Sequence, residues 1–174
     1  YEIMHWRNEQ MYHLRQNQLL TVEDQNKYFE TVVAKIFKED KPDQIIFSYL
    51  ENNTSIGYGG MVHINWKDSN AEISFIMDRQ LEANRFNTIW ETFLSLLEQV
   101  AFDDLQLHKI YTYAFDLRPQ LYEVLLKANF LEEARLKEHV NFNNSYIDVL
   151  IHSKSNKKKF LRKVTESDID ITFR

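Results

Sequence analysis

Two side chains in the sequence are candidates for proton transfer. Glu72 lies in an alternating segment, Ala71–Met77, where its side chain points away from that of Ile73 and can face a cleft. A carboxylate there can accept a proton directly or through water, whereas a solvated strand residue is the alternative interpretation. His63 and Asp116 are weaker candidates for the same role. Tyr122 carries a phenol with an ordinary pKa near ~10, which can act as a general acid or simply pack in a helix.

Composition excludes several other chemistries. The chain of 174 residues has no cysteine, which rules out disulfides, a thiol nucleophile and thiolate zinc sites and suits a reducing compartment. The histidines show no metal-ligand spacing, so we expect no metal site. A net charge of -5 argues against a nucleic-acid partner. Since no apolar run approaches the ~20 residues of a membrane span, we expect a cytoplasmic protein with no membrane partner.

The elements that position these residues alternate between strands and helices. Strand patterns cover residues 44–50, 55–65, 71–77, 109–115, 132–142 and 146–153. Thr21 is a good N-cap for a helix that runs to about Phe37, a second amphipathic helix covers residues 84–102, and Pro119 opens the helix that carries Tyr122. This order predicts a single domain of the mixed α/β (α+β) class.

The order of elements resembles the GNAT superfamily of N-acetyltransferases. The glycine-bearing strand Ile56-Gly57-Tyr58-Gly59-Gly60 and the opening Trp6-Arg7-Asn8 look closer to its ribosomal-protein and amino-sugar acetyltransferases than to its histone-type enzymes. The segment Leu121–Phe130 resembles the Leu-Tyr-Glu-Lys-Leu-Gly-Phe ending of the superfamily. The resemblance covers about residues 1–153. It implies a central, mostly antiparallel sheet that is flanked by helices and whose middle strands splay apart.

The resemblance also implies a reaction. Acetyl-CoA would be the acetyl donor, and a primary amine on an amino-sugar nucleotide or a protein N-terminus would attack it directly in a ternary complex. Glu72 would promote loss of the amine proton and Tyr122 would protonate the departing sulfur. The strand that matches residues 71–77 would hold the pantetheine arm and polarise the carbonyl through backbone groups of Phe75, Ile76 and Met77.

The diphosphate of the cofactor poses a problem for this assignment. The superfamily places a glycine-bearing loop before its long helix, but the matching residues 80–88 contain no glycine, and Arg85 and Asn87 stand where glycines are usual. In one interpretation the loop still works, with the phosphates held by Arg85, Phe86, Asn87 and Thr88. In the other it has lost its ligand, and the protein is a non-catalytic module that binds a partner or a second domain.

The end of the chain has a different character. Residues 154–159 are predicted to form a basic linker after a GNAT-like domain that spans residues 1–153. Residues 160–174 resemble the first strand and helix start of another GNAT-like domain. They predict either a tandem-domain protein or a segment that completes this sheet or that of a neighbour, so a tandem domain or a homodimer is a further expected partner.

Overall fold

A six-stranded sheet forms the centre of the computed structural model, which describes residues 1–157. The strands follow the order β1-β2-β3-β4-β6-β5, and every neighbouring pair is antiparallel except β3 and β4. The predicted mixed α/β class with a mostly antiparallel sheet is therefore confirmed. The strands are β1 Ile45–Glu51, β2 Thr54–Asn65, β3 Asn70–Met77, β4 Lys109–Phe115, β5 Leu131–Phe142 and β6 Ser145–Ser155.

Helices cover the sheet and connect its strands. The side chain of Thr21 accepts a hydrogen bond from the backbone of Asp24, and Asp24 returns one, so the predicted N-cap is a full capping box. The α-helices are α1 Glu2–Glu9, α2 Val22–Tyr28, α3 Ala34–Ile36, α4 Arg79–Glu98 and α5 Pro119–Lys127. A 3₁₀ turn covers Met11–His13, and π-helical turns, Phe29–Val33 and Gln99–Asp104, follow α2 and α4. Within residues 1–157, no helix has the length and apolar character needed to cross a membrane.

The main core lies between α4, α5 and one face of the sheet. Alternate residues of β3 point into it, and the ring of Phe75 stacks on Phe93 of α4 with centroids 3.9 Å apart. The glycines of β2 serve the close approach of neighbouring strands, because a Cβ at Gly59 would overlap the carbonyl oxygen of Ser74 on β3. This packing fixes β3 firmly against β2 and α4.

The two middle strands separate from each other. β3 and β4 are paired only at their start, where Asn70, Ala71 and Glu72 lie opposite Lys109, Ile110 and Tyr111. Beyond that point β3 remains paired with β2, and β4 remains paired with β6. The space between residues 73–77 of β3 and residues 112–115 of β4 is called the strand slot below. The predicted splay of the middle strands is therefore confirmed.

The start of α4 differs from the prediction. The stretch 80–88, expected to be a loop, is helical, because the side chain of Asp78 caps the helix by accepting from the backbone N–H of Gln80. Good helix formers follow Asp78 and no glycine interrupts them. The predicted helix start at residue 84 is therefore five residues too late.

The end of β6 also differs from expectation. β6 continues to Ser155, and Lys154 donates to Glu98 and to the carbonyl of Ala128, so residues 154 and 155 are part of the sheet and not of a linker. The predicted strand and helix start at residues 160–174 lies outside the described residues. The hairpin between β5 and β6 is confirmed, with Asn143 and Asn144 both at positive φ.

The helical segment of α2 and α3 leaves much of its apolar face uncovered. Phe37 is 85% exposed and Tyr28 is 41% exposed, although both lie on the apolar face that the helical spacing of the sequence gives this segment. These helices stand away from β1 and enclose a groove of about 860 Å³ that Phe29, Ile45 and Phe47 help to line. Neither Glu72 nor the strand slot opens into this groove.

Candidate active site

Backbone groups of β3 line the strand slot. The N–H of Asp78 donates to the carbonyl of Ile56 in β2, at 2.9 Å, and this fixes which residues of β3 pair with β2. By the alternation of an antiparallel ladder, Ile76 directs its N–H and carbonyl to β2, whereas Phe75 and Met77 direct theirs to the slot. The predicted contribution of Ile76 through its backbone is therefore not available in this arrangement.

Gln10 occupies the end of the slot nearest to Met77. Its side chain is fully buried, and its Nε2 donates to the carbonyl oxygen of Met77 at 2.8 Å. Its Oε1 lies 3.2 Å from Nε2 of His13. Gln10 therefore takes up the carbonyl of Met77, at the wide end of the slot.

Arg118 approaches from the other side, three residues after the end of β4. Its Nη1 lies 3.1 Å from Nε2 and 3.4 Å from Nδ1 of His13, and its Nη2 donates to Oε1 of Glu82 at 2.7 Å. The guanidinium also lies 5.0 Å from the ring centroid of Phe86. Gln10, His13, Arg118 and Glu82, called the slot bridge below, thus link the end of β3 to the end of β4 across the wide end of the slot.

Burial dominates the electrostatics of the slot bridge. It lowers the pKa of His13 to about 3, with the charge of Arg118 acting in the same direction, so the imidazole is neutral. Burial also raises the pKa of Glu82, an effect that Arg118 and Arg79 oppose. Burial likewise lowers the pKa of Arg118, and Glu82 opposes that shift. Each partner of the Arg118–Glu82 ion pair therefore offsets the cost of burying the other.

Glu72 lies at the point where β3 and β4 separate, on the face of the sheet opposite α4. It is only 6% exposed, so it is not the solvated strand residue of the alternative interpretation. Its Oε1 forms an ion pair with Arg15, and its Oε2 lies 3.9 Å from Nε2 of His63. Burial raises the pKa of Glu72, while the charges of Arg15 and His63 oppose the rise.

Two tyrosines of β4 complete the surroundings of Glu72. Arg15 lies over the ring of Tyr113, 4.8 Å from its centroid, and its side chain remains 49% exposed. Tyr111 is the partner of Glu72 in the strand register, and its pKa is raised by burial and by the charge of Glu72. The carboxylate is thus held in a polar cluster whose cation can reach solvent.

Tyr122 points to the other side of β4. Its hydroxyl donates to the carbonyl of Phe115 at 3.2 Å and to Oδ1 of Asp116 at 3.1 Å, and its ring stacks on His152 of β6. Arg135 in turn donates to Asp116 at 2.6 Å. Burial, followed by the charge of Asp116, raises the pKa of Tyr122, so the phenol stays protonated. Among the described residues, no hydrogen bond or ion pair joins Tyr122 to Glu72.

The residues predicted to hold the diphosphate lie inside α4. Arg85 forms a bidentate ion pair with Glu51 of β1, at 2.6 and 2.9 Å, and Phe86 is buried below Arg118. The backbone N–H groups of residues 85–88, which include Asn87 and Thr88, lie beyond the first turn of α4 and donate hydrogen bonds within the helix. The N–H groups of a helix that are free to bind a ligand belong to its first turn. The start of α4 at Arg79 moves that turn away from the predicted position.

The sequence analysis missed most of the slot bridge. Gln10 and His13 lie in a polar stretch without clear periodicity, and nothing in their spacing points to Arg118, more than a hundred residues later. The sequence left Arg118 either to pair with Asp116 or to contact an acidic ligand, and in the structure Asp116 pairs with Arg135 instead. The one usable signal in the sequence was an arginine placed between the end of a strand and Pro119.

Acetyl-CoA, the donor that the resemblance implies, fits this geometry at two points and conflicts with it at one. The slot between β3 and β4 presents backbone groups of Phe75 to a thin chain. Arg118 is a buried cation whose Nε has no hydrogen-bond partner among the described residues, which suits a phosphate group. Glu82 is the conflict, because it places a carboxylate where the diphosphate of a cofactor would reach Arg118.

Solved structures with a similar fold are acetyltransferases. The spermidine N-acetyltransferase of Vibrio cholerae in complex with CoA and spermine is 20% identical, with a TM-score of 0.75 over 91% of this chain and 90% of that chain. A form of the spermidine/spermine N-acetyltransferase of the same organism with manganese ions is 20% identical, with a TM-score of 0.68 over 82% of this chain and 79% of that chain. The model of the acetyltransferase (GNAT) domain matches residues 1–151, so the chain belongs to this family of acetyl-CoA-dependent acetyltransferases.

Proposed function

We propose that this protein transfers the acetyl group of acetyl-CoA to the primary amine of a small molecule, with Glu72 as the residue that receives the amine. The observation that carries the proposal is the ion pair between Arg15 and the buried Glu72 where the strands separate. Arg15 shows that a cationic nitrogen is a suitable partner for this carboxylate. Because Arg15 is half exposed, a substrate ammonium can replace it.

Glu72 suits the role of a proton acceptor. Burial raises its pKa, which brings a carboxylate closer to the range in which it can take a proton near neutral pH. An ammonium that displaces Arg15 would pair with Glu72 and lose a proton to the carboxylate, directly or through water, before the neutral nitrogen attacks. His63, 3.9 Å from the carboxylate, is then positioned to pass the proton towards solvent.

The other residues hold and complete the reaction. Acetyl-CoA supplies an acetyl group activated as a thioester. The backbone of Phe75 faces the slot and is the proposed contact for the pantetheine arm, together with Met77 when Gln10 releases its carbonyl. Tyr122 keeps its proton and is the proposed acid; rotation of the O–H bond away from Asp116 would free that proton.

The proposed acceptor is a small cationic amine. The two solved structures compared above are spermidine and spermidine/spermine acetyltransferases, which favours a small cationic amine over the amino-sugar nucleotide or protein N-terminus expected from the sequence. A polyamine presents an ammonium to Glu72 without bringing phosphates to it. Electrostatics at this cluster therefore favour a cationic acceptor.

Release of free thiol from acetyl-CoA, with spermidine, an amino sugar and a short peptide in parallel, tests the proposal. We expect thiol release with at least one amine and a loss of about 100-fold in kcat/KM for Glu72→Gln. Glu133→Gln, which alters a carboxylate paired with Lys109 on the exposed side of β5, is the matched control and should keep full activity. Equal turnover in wild type and Glu72→Gln would remove Glu72 from the reaction, and no turnover with any amine would favour the non-catalytic module.

A further inference from the structure

We propose that Glu82 is an internal competitor of acetyl-CoA: its carboxylate holds the Arg118 guanidinium that binds the diphosphate of the cofactor once Glu82 is displaced. The inference rests on the proposed function only in its use of acetyl-CoA, and it does not depend on the acceptor or on Glu72. It assigns Arg118 as a binding residue and Glu82 as the residue that limits cofactor affinity.

The position of the pair is the first support. Glu82 belongs to the first turns of α4, directly after β3, and Arg118 follows the end of β4, so their 2.7 Å hydrogen bond spans the wide end of the strand slot. A cofactor that lies in the slot with its thioester near Glu72 extends out of the slot through this wide end. The Arg118–Glu82 pair therefore stands in the path of the cofactor.

The hydrogen-bonding capacity of Arg118 is the second support. The side chain of Arg118 is 7% exposed, and a guanidinium has five N–H donors in a planar fork. Nη2 donates to a single oxygen of Glu82, Nη1 meets the ring of His13, and the buried Nε has no partner among the described residues. A diphosphate offers several oxygens and more negative charge than one carboxylate, so it can satisfy donors that Glu82 leaves unused.

The positive electrostatic potential at the start of α4 is the third support. The first turn of a long helix carries partial positive charge, and α4 is 20 residues long. Arg79 adds a second cation, which acts on the carboxyl group of Glu82 together with Arg118. Glu82 shows that an anion is accepted there. Because a carboxylate and a diphosphate repel each other, the two cannot share Arg118.

Calorimetric titration of CoA into the purified protein, without any amine, measures the competition. We expect Glu82→Gln, which keeps the shape of the side chain but removes its charge, to bind CoA about tenfold more tightly than wild type. Arg118→Gln should bind CoA about tenfold more weakly, and adding Glu82→Gln to it should bring a clearly smaller gain than in wild type, because Arg118 is no longer there to compete for and only the repulsion between carboxylate and diphosphate is relieved. Arg118→Lys keeps the charge and covers the case in which Arg118→Gln fails to fold.

Two controls distinguish competition by Glu82 from other causes of a change in CoA affinity. Glu91→Gln breaks a comparable but exposed pair between α4 and α5, in which Lys127 lies 3.5 Å from Glu91, and it should leave CoA affinity unchanged. Dephospho-CoA retains the diphosphate, so Glu82→Gln should tighten its binding by the same factor. Unchanged CoA affinity in Glu82→Gln would overturn the proposal, as would a gain that disappears with dephospho-CoA. A wild-type protein that binds CoA but acetylates no amine would instead count against the acceptor chemistry at Glu72 and leave this proposal standing.

Discussion

Arg118 donates a 2.7 Å hydrogen bond to Glu82 and thereby joins the segment after β4 to the start of α4. Both side chains are largely buried, with 7% and 17% of their surfaces exposed. The contact therefore has two consequences: it contributes to the stability of the fold, and it closes the wide end of the strand slot.

Removal of Arg118 should destabilise the protein. In Arg118→Gln the carboxylate of Glu82 loses its cation and remains buried, so we expect the free energy of unfolding to fall by about 3 kcal/mol. Urea denaturation followed by circular dichroism measures the change. Lys127→Gln removes the cation of an exposed pair and should lower the free energy of unfolding by at most about 0.5 kcal/mol. Equal losses in the two variants would contradict the burial of the Arg118–Glu82 pair.

His13 should make stability depend on pH. Its pKa in the folded state is lowered to about 3, below the ordinary value of 6.5, so between these values the unfolded chain binds more protons than the folded one. The contribution of neutral His13 to the free energy of unfolding is fully present above pH 6.5. It is lost as the pH falls, and the loss reaches about 2 kcal/mol at pH 5. Denaturation series at pH 5 and pH 7 should show this slope in wild type and a smaller one in His13→Gln. A slope that is retained in His13→Gln would assign it to other groups.

Tyr122 should matter for turnover and not for cofactor binding. Tyr122→Phe removes the hydroxyl but keeps the ring that stacks on His152, so we expect kcat to fall about 100-fold with CoA affinity unchanged. Thiol release gives kcat, and calorimetry gives the affinity. Tyr146→Phe, at a tyrosine that is 65% exposed on β6, is the control. Undiminished kcat in Tyr122→Phe would restrict the hydroxyl to its structural hydrogen bonds with Phe115 and Asp116.

Gly59 should tolerate no side chain. A Cβ at this position would overlap the carbonyl of Ser74, so Gly59→Ala forces β2 and β3 apart and should cost about 2 kcal/mol. Thermal unfolding gives the measurement, and Ser48→Ala at an exposed position of β1 should change little. A stability equal to wild type would mean that the ladder between β2 and β3 adjusts without strain.

Much of the fold could be predicted because its signals are local. The alternation of residues 71–77 gives β3, Pro119 marks the start of α5, and Asn143 and Asn144 give the turn between β5 and β6. Each of these follows from the conformational preferences of a few neighbouring residues. The start of α4 was predicted wrongly because the family pattern was followed in place of the local signal, which was Asp78 followed by good helix formers.

The sequence by itself determined the order of the strands and helices and, through the alternation of residues 71–77, a Glu72 side chain that points away from Ile73. Only the tertiary structure decided that Gln10, His13, Glu82 and Arg118 meet at the wide end of the slot and that Arg15 covers Glu72. The physical reason is that hydrogen bonds and ion pairs between distant segments leave no periodicity in the sequence. They depend on burial and on the angle at which strands separate, which no single segment encodes.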